Sequence, residues 1–339
     1  MFRYLVVVGI LASLSAQNYL IKFSRYRDGL SHANVTTVRS AENGLIWIGT
    51  ESSLNQFDSK DYYRIGLEAG LTDDYISALA IDDNGNIWIG THNGLNLHQR
   101  NNHHILKYLS SDNANSLTNN SIQTIYIALD GSAWIGTERG LNHWTNDGFE
   151  RFIAKPDLGF TLRNDDILSL IQIDSNTLLI GTNGGGLELM DIKNYRFHRI
   201  SGISAKKITD LEASRDGGIW ISSAENGLFH YSPKSDSFQA IKDNVFKSYR
   251  LTSVTEDEFG YLWVGTEFSG LVSYHKQSGK IKNYQFQADN LNSISSNEIH
   301  DITTDPAGNV WIATSNGLSK IHRKEHLFKH YMISHSSKS

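Results

Sequence analysis

The chain has 339 residues, of which 39% are hydrophobic and 20% are charged, so it can bury a large core and is not a disordered segment. Its formal net charge of -5 at pH 7 argues against a nucleic-acid-binding protein, because such proteins present a basic surface. It contains no cysteine, which excludes disulfides, thiolate metal sites and a cysteine nucleophile.

The first residues have the pattern of a secretory signal peptide. Residues 1–3 are a short, positively charged start, residues 4–14 are an apolar run, and Ser15 and Ala16 are small residues at which cleavage is expected. The run is shorter than the roughly 20 residues that a membrane span needs. We therefore expect residues 1–16 to be removed on export and the mature chain to be periplasmic. A buried strand that is not cleaved is the alternative.

Seven copies of one pattern follow, each centred on a tryptophan or, once, on a leucine. The centres lie 41 to 48 residues apart, which is the repeat length of propeller blades. In six copies a glycine stands three residues before the centre, where a left-handed backbone closes a hairpin, and Asn176 is expected to take the same conformation in the remaining copy. The central residues are Trp47, Trp88, Trp134, Leu179, Trp220, Trp263 and Trp311.

Each copy reads as four short strands separated by turn residues. In the second copy these are residues 76–81, 87–91, 94–98 and 104–108. The first strand starts 12 residues before the centre in all seven copies. A constant separation indicates a fixed hairpin register, because a slip of one residue would turn every side chain to the other face. Each copy is therefore predicted to form one antiparallel sheet.

These sheets predict an all-β fold, a single seven-bladed β-propeller of four-stranded antiparallel blades at residues 19–334, followed by a short tail at 335–339. Fourth-strand candidates number eight, because residues 19–26 precede the first copy and residues 327–333 follow the last. A ring leaves no open edge only when its last blade is completed. We predict that the N-terminal strand joins the last blade; the C-terminal strand is the alternative.

A ligand site is predicted at one mouth of the central channel, where the residue before each first strand and the residues after each second strand meet. These positions differ in charge and shape from blade to blade, so they could recognise an asymmetric polar ligand. The alternative is that they are polar because they face water. The expected ligand contacts are Asn34, Tyr75, His92, Glu138, Arg139, Asp166, Arg250 and Glu267.

No metal or cofactor is expected. His103 and His104 are adjacent in sequence and would point to opposite faces of a strand, so they would not share an ion. The glycines at 184–186 lie between two strands, without the following helix that a phosphate site uses. No Gly-x-Ser-x-Gly elbow is present.

The repeated Trp-Ile-Gly-Thr followed by Gly-Leu, as at residues 88–91 and 94–95, resembles the two-component regulator propeller repeat. Gly29-Leu30-Ser31 and Ser116-Leu117-Thr118 belong to the same pattern. The resemblance implies the periplasmic sensor part of a hybrid histidine kinase or diguanylate cyclase, often one that senses carbohydrate. Such sensors usually continue into a β-sandwich, a membrane helix and an output domain. A detached sensor, a truncated product and a partner of a separate transducer are three expectations for this chain.

The resulting hypothesis is a non-enzymatic, exported sensor that binds an oligosaccharide or other small polar ligand and acts through a membrane-bound transducer or a homodimer, without nucleic acid. One alternative is a metal-dependent lyase similar to the streptogramin lyases. A lyase would need His and Glu side chains clustered at the mouth, and the candidates are His32, Glu51, His92 and Glu138. The other alternative is a protein-interaction platform with an exposed apolar patch on one face.

Overall fold

The chain folds into seven four-stranded antiparallel sheets, as the repeats predict. A computed structural model describes residues 21–145, 147–155, 158, 161–200 and 202–322. The described helices are a 3-10 turn at Leu67–Ala69 and a short α-helix, α1, at Asn244–Ser248. Neither of them is long and apolar enough to cross a bilayer. The sequence-based assignment to an all-β, seven-bladed propeller is confirmed.

The strands follow one another outward in each blade, so that the first strand of every blade lines the channel. Blades 1 to 3 follow strand β1 (Phe23–Tyr26) and contain β2 (Val35–Ser40), β3 (Ile46–Thr50), β4 (Ser53–Phe57), β5 (Tyr62–Ile65), β6 (Ile76–Ile81), β7 (Ile87–Thr91), β8 (Gly94–His98), β9 (Ile105–Tyr108), β10 (Ile122–Ile127), β11 (Ala133–Thr137), β12 (Gly140–Thr145) and β13 (Gly148–Phe152). Blades 4 to 7 contain β14 (Ile167–Asp174), β15 (Thr177–Thr182), β16 (Leu187–Asp191), β17 (Arg196–Arg199), β18 (Ile208–Ala213), β19 (Ile219–Ser223), β20 (Gly227–Ser232), β21 (Ser237–Ala240), β22 (Leu251–Glu256), β23 (Tyr261–Thr266), β24 (Leu271–His275), β25 (Ile281–Tyr284), β26 (Ile299–Thr304), β27 (Val310–Thr314) and β28 (Gly317–Ile321).

The N-terminal strand closes the ring. β1 pairs antiparallel with β28, with Phe23 opposite Ile321 and Tyr26 opposite Leu318. It therefore supplies the fourth strand of the seventh blade, as predicted. The predicted strand at 327–333, the signal peptide at 1–16 and the tail at 335–339 lie outside the described residues.

The hydrophobic core lies in the seams between blades. Trp134 of blade 3 packs in one buried cluster with Ile167 and Leu170 of blade 4. A side chain on Gly136 would clash with this packing, because its Cβ would lie 2.7 Å from Cγ2 of Ile167 and 2.6 Å from Cγ2 of Thr124. The glycine of the Trp-x-Gly-Thr pattern is therefore required by the approach of the next blade.

In all seven seams, the size of the residue at the glycine position is matched to the residue that faces it from the next blade; we call this the size rule. In five blades a glycine faces an isoleucine that begins the first strand of the next blade; the glycines are Gly49, Gly90, Gly136, Gly181 and Gly265, and the isoleucines are Ile76, Ile122, Ile167, Ile208 and Ile299. The other two blades carry Ser222 and Ala313 at this position, and the next blades then begin with Leu251 and Val35. The second strand thus carries a residue larger than glycine at this position only where the residue that faces it from the next blade is not isoleucine.

The hairpin glycines adopt the predicted left-handed conformation, as Gly85 does with φ 75°. The same prediction for Asn176 is wrong, because Asn176 is not among the residues with positive φ. In blade 4 the first strand continues to Asp174, which pairs with Thr177, so the turn is shorter. The backbone N–H of Asn176 donates to the Asp174 side chain at 2.8 Å instead.

Candidate functional site

One face of the ring, here called the upper face, carries the starts of the first strands and the ends of the second strands. The two predicted rings of residues lie side by side there. In six blades the backbone N–H after the second strand donates to the carbonyl before the first strand; the pairs are Glu51–Asn34, Glu138–Ser121, Asn183–Asp166, Ala224–Lys207, Glu267–Arg250 and Ser315–Glu298. The antiparallel register places both rings at the channel mouth in this way.

Several predicted site residues contact the partner position of their own blade. The amide of Asn34 donates to Oε1 of Glu51 at 2.7 Å. The amide of Asn183 donates to Oδ2 of Asp166 at 2.8 Å. Arg250 forms an ion pair with Glu267. The mouth therefore presents paired polar groups that are fixed relative to the blades.

In blade 2 the predicted residues Tyr75 and His92 form a stack. Their ring centroids are 3.8 Å apart and their planes differ by 17°. Tyr75 is half-buried, whereas His92 is exposed. Burial, together with the negative charge of Glu51 from blade 1, raises the pKa of the Tyr75 hydroxyl, which therefore remains a hydrogen-bond donor at neutral pH.

The two predicted residues in blade 3 are open to solvent. Glu138 and Arg139 are both exposed. The Gln123 amide donates to Oε1 of Glu138 at 3.3 Å, and the backbone N–H of Arg139 donates to Oγ1 of Thr137 at 3.1 Å. The structure thus anchors the backbone of this turn while both side chains reach outward.

The histidines at the mouth do not assemble a metal site. Among the described residues, no three His, Asp or Glu side chains are grouped so that they could hold one ion. His32 lies 3.7 Å from Glu51, while His92 is stacked on Tyr75. His300 of blade 7, which the sequence analysis did not select, lies 3.4 Å from Glu298. The potential ligands are therefore dispersed around the ring.

A buried polar network beneath the upper face was not anticipated from the sequence. In blade 2, Oδ1 of Asn96 accepts from the Thr72 backbone N–H at 3.0 Å, and its amide donates to Oγ1 of Thr72 at 2.9 Å. The Thr72 hydroxyl also lies 3.0 Å from that of Thr91. Blades 1 and 3 repeat the network at Asn55 and Asn142. The recurrence of asparagine eight residues after the central tryptophan is the signal that identifies it.

A second unanticipated feature is a charged cluster inside the channel. Arg39 of blade 1 contacts Oδ2 of Asp301 from blade 7 at 2.6 Å, and its side chain is 39% exposed. Asp210 and Glu212 of blade 5 face the same space. Burial, with the charge of Asp301 nearby, raises the pKa of Asp210 to about 6. Burial, with the charge of Asp210, raises the pKa of Glu212 to about 8.

The opposite face, called the lower face, has a separate concavity of about 340 Å³. It lies among the turns between the first and second strands and is lined by Glu42, Arg215, Glu258 and Pro306, among others. None of the eight predicted ligand contacts lines it. The predicted site and this concavity are therefore at different mouths of the channel.

The closed ring of seven four-stranded sheets, with a polar upper mouth, defines the chain as a seven-bladed β-propeller. The profile of the two component regulator propeller family matches residues 70–93 and 293–316. The chain therefore carries two-component regulator propeller repeats, as its sequence pattern indicated.

Known proteins with similar sequences or structures include parts of signalling proteins and a lyase. Extracellular domains of two putative signalling systems from B. thetaiotaomicron have TM-scores of 0.77 and 0.74 at 21% and 24% identity; 89% and 88% of this chain align, over 42% and 39% of theirs. A virginiamycin B lyase from Staphylococcus aureus has a TM-score of 0.71 at 14% identity, with 89% of this chain covering 99% of the lyase. At these identities the structures show a shared fold.

A histidine kinase from Formosa agariphila is 24% identical over 161 residues, which are 44% of this chain and 12% of the kinase. The chain thus spans less than half the length of these signalling proteins.

Proposed function

We propose that this propeller is the ligand-binding part of a periplasmic sensor, that it is not itself an enzyme, and that a carbohydrate or other small polar ligand binds at its upper face. The family match to two-component regulator propellers supports the sensor role. The observation that carries the binding role is the Tyr75–His92 stack next to the carboxylate of Glu51.

The chemistry of this region suits a polyhydroxylated ligand. An aromatic face can pack against the C–H surface of a sugar ring, and polar groups at the rim can then accept or donate hydrogen bonds to its hydroxyls. Glu51 and Asp166 supply acceptors, and Arg250 supplies donors. Because these groups come from different blades, a ligand that spans the mouth would contact several blades at once.

Binding would act on a membrane-bound transducer or a second copy of the chain. Such coupling requires that the ligand bind one state of the assembly more tightly than another. Exposed apolar side chains on loops of the upper face support a protein contact next to the ligand site: Leu67 is 54% exposed, Phe268 is 68% exposed and Leu291 is 79% exposed. A docking role for the outer part of this face is therefore the second candidate function.

The lyase alternative has less support. A metal-dependent lyase needs converging ligands, whereas the described His and Glu side chains at the mouth are dispersed. The similarity to the virginiamycin B lyase at 14% identity concerns the fold, and propellers host unrelated functions on one architecture.

The test is thermal-shift and calorimetric titration of the chain with a panel of oligosaccharides, and with Mg²⁺ and Mn²⁺. A ligand present at 100 times its Kd stabilises the fold by about 2.7 kcal/mol. We expect a saccharide to bind and Tyr75→Ala to weaken its binding at least tenfold, about 1.4 kcal/mol. Tyr63→Ala is the matched control, because Tyr63 is 54% exposed on the outer strand β5.

Binding that is unchanged in Tyr75→Ala would refute the proposed site. No response to any saccharide together with a response to a divalent metal would favour the lyase alternative. Capture of a transducer domain that Phe268→Ser abolishes, without saccharide binding, would favour the docking role.

A further inference from the structure

A concavity of about 510 Å³ lies on the outer wall of the ring, where blade 3 meets blade 4. It is away from both mouths of the channel, because β13 is the outermost strand of its blade. The volume falls within the range of small-molecule sites, about 300–1,000 Å³. We call this concavity the outer groove; the residues that line it include Asn115, Phe149, Glu150, Arg151, Phe152 and Tyr195.

The loop before blade 3 forms one wall of the outer groove. The backbone N–H of Phe149 on β13 donates to the carbonyl of Asn115 at 3.0 Å. The guanidinium of Arg151 donates to the carbonyl of Asn113 at 3.3 Å. A side chain on Gly148 would obstruct this approach, because its Cβ would lie 3.0 Å from the carbonyl oxygen of Asn115. The loop is therefore fixed against the outer strand.

Tyr195 of blade 4 forms the opposite wall from an unusual backbone position. Its φ is 56°, in the left-handed region. The same turn, before the fourth strand, has a positive φ in blades 2, 5 and 6, where the residues are His103, Asp236 and Gly279. Glycine, aspartate and histidine tolerate this conformation better than a bulky residue does. A tyrosine here is unfavourable for the backbone, so its side chain must compensate through its contacts.

The contacts of Tyr195 cross the seam to blade 3. Its ring packs edge-on against Phe152, with the centroids 5.0 Å apart, and its hydroxyl donates to Oε2 of Glu150. The side chain nevertheless keeps a solvent-facing surface, since Tyr195 is 38% exposed. The structure thus holds an aromatic ring in a fixed orientation at the edge of the outer groove.

A chain of hydrogen bonds fixes Glu150 from behind. Its Oε2 lies 3.3 Å from Nδ1 of His143, and Nε2 of His143 lies 2.9 Å from Oγ of Ser132. Ser132 in turn donates to Asp130 at 2.6 Å, and the His143 ring stacks on Trp134 at 4.0 Å. Oε1 of Glu150 accepts no hydrogen bond from a described residue, and the side chain is 44% exposed. Glu150 is therefore a pre-positioned acceptor for a ligand.

We propose that the outer groove is a second carbohydrate-binding site, in which a sugar ring packs on Tyr195 while Glu150 and Arg151 bind its hydroxyl groups. The aromatic ring offers a face for the C–H surface of a sugar, the carboxylate accepts hydrogen bonds and the guanidinium donates them. One carboxylate and one guanidinium leave the groove without net charge, so the ligand is a neutral oligosaccharide. The site shares no residue with the one proposed at the upper face and does not depend on it.

An extended peptide that adds to the open edge of β13 is a different occupant. Such a strand would need consecutive outward-facing backbone groups to pair with. The N–H of Phe149 is already bonded to Asn115, so the edge is interrupted where the groove begins. The observations therefore favour a saccharide.

The test is calorimetric titration of the full chain with xylotetraose, mannotetraose and cellotetraose, carried out in the Tyr75→Ala variant so that the upper face does not contribute. Tyr195→Asn removes the aromatic ring and introduces a residue that favours positive φ, so the unfolding midpoint should not fall. We expect one of the tetrasaccharides to bind and Tyr195→Asn to weaken its binding at least about tenfold, as for the loss of an aromatic anchor. His103→Asn is the matched control, because His103 has the same φ of 56° in blade 2 and does not line the groove.

Hydrogen–deuterium exchange with and without the saccharide locates the site. Peptides that cover residues 113–115 and 149–152 should be protected by the saccharide, and Tyr195→Asn should abolish that protection. Binding that survives Tyr195→Asn, or protection confined to the upper face, would refute the outer groove and leave the upper site standing. Loss of binding in Tyr75→Ala alone has the same meaning, whereas binding that only Tyr195→Asn abolishes supports the groove and not the upper site. Failure of all three tetrasaccharides to bind, or binding of an extended Val-Thr heptapeptide instead, would also overturn the proposal.

Discussion

The size rule in the blade seams makes a sharp prediction for Gly136→Ala. The added methyl group would lie 2.6 Å from Cγ2 of Thr124 and 2.7 Å from Cγ2 of Ile167, whereas carbon atoms pack favourably at about 3.5–4.0 Å. Ile167 is fully buried, so it has little room to move. Overpacking of this kind costs about 1–3 kcal/mol. We expect Gly136→Ala to lower the free energy of unfolding by that amount.

The seam also predicts which second substitution restores stability. Ala313 packs in a cluster with Val35, a pair in which the opposing side chain lacks one methylene. In blade 3, however, valine would keep the Cγ2 atom that the new methyl group meets, so the matching second substitution is Ile167→Ala, which removes that atom. Ile167→Ala alone should cost about 2–5 kcal/mol, and its combination with Gly136→Ala should cost less than the sum of the single variants by at least about 0.5 kcal/mol.

Urea unfolding of the wild type, both single variants and the double variant, followed by fluorescence and circular dichroism, measures this coupling. Ala313→Gly is the control, because it removes a methyl group from a seam that already accommodates one. Additive effects of the two substitutions, or an unfolding midpoint of Gly136→Ala equal to that of the wild type, would refute the size rule.

Three other variants test closure and the channel. Phe23→Ala removes a buried ring from the closing strand and should cost about 3–5 kcal/mol in urea unfolding, with faster proteolysis of the N terminus. Asp301→Asn weakens the contacts to Thr37, Val38 and Arg39 and should cost about 2 kcal/mol; an unchanged midpoint would show that the channel contacts are dispensable. Because the pKa of Glu212 is raised to about 8, ionisation of Glu212 destabilises the fold as pH rises from about 4.5 to 8. Glu212→Gln should therefore be more stable than the wild type at pH 8.5 but not at pH 4, and unfolding at the two pH values measures this difference.

Blade number, strand register and closure were predictable because they follow from local spacing. The constant separation between residues such as Ile122 and Trp134 fixes each hairpin. A ring has one incomplete blade, and the sequence offered a strand at either terminus for it; the structure shows the predicted N-terminal strand there. Asn176 shows the limit of the pattern, because a local change in strand length moved the turn while the overall repeat was kept.

The side-chain contacts within and between blades were not predictable from the repeat. Both rings of the upper face could be placed by counting residues, but the stacking of Tyr75 on His92 depends on side-chain rotamers. The contact of Arg39 with Asp301 joins residues 262 positions apart and depends on how closely the first strands converge. Glu188 of blade 4 stands at the register position that asparagine holds in blades 1 to 3, and aligning these four copies would have singled it out.

Completion of the seventh blade by β1 ties the first described part of the chain to its last. The hydroxyl of Ser24 lies 2.9 Å from His322, a contact between residues 298 positions apart. During synthesis, β1 emerges before the strands of the seven blades and has no partner until β28 follows it, so the final blade forms only after all seven repeats are available. Until β1 pairs with it, β28 presents an unpaired edge, and β1 of another molecule can pair with that edge in the same register. Assembly at high concentration therefore favours strand exchange between molecules at this seam above all others.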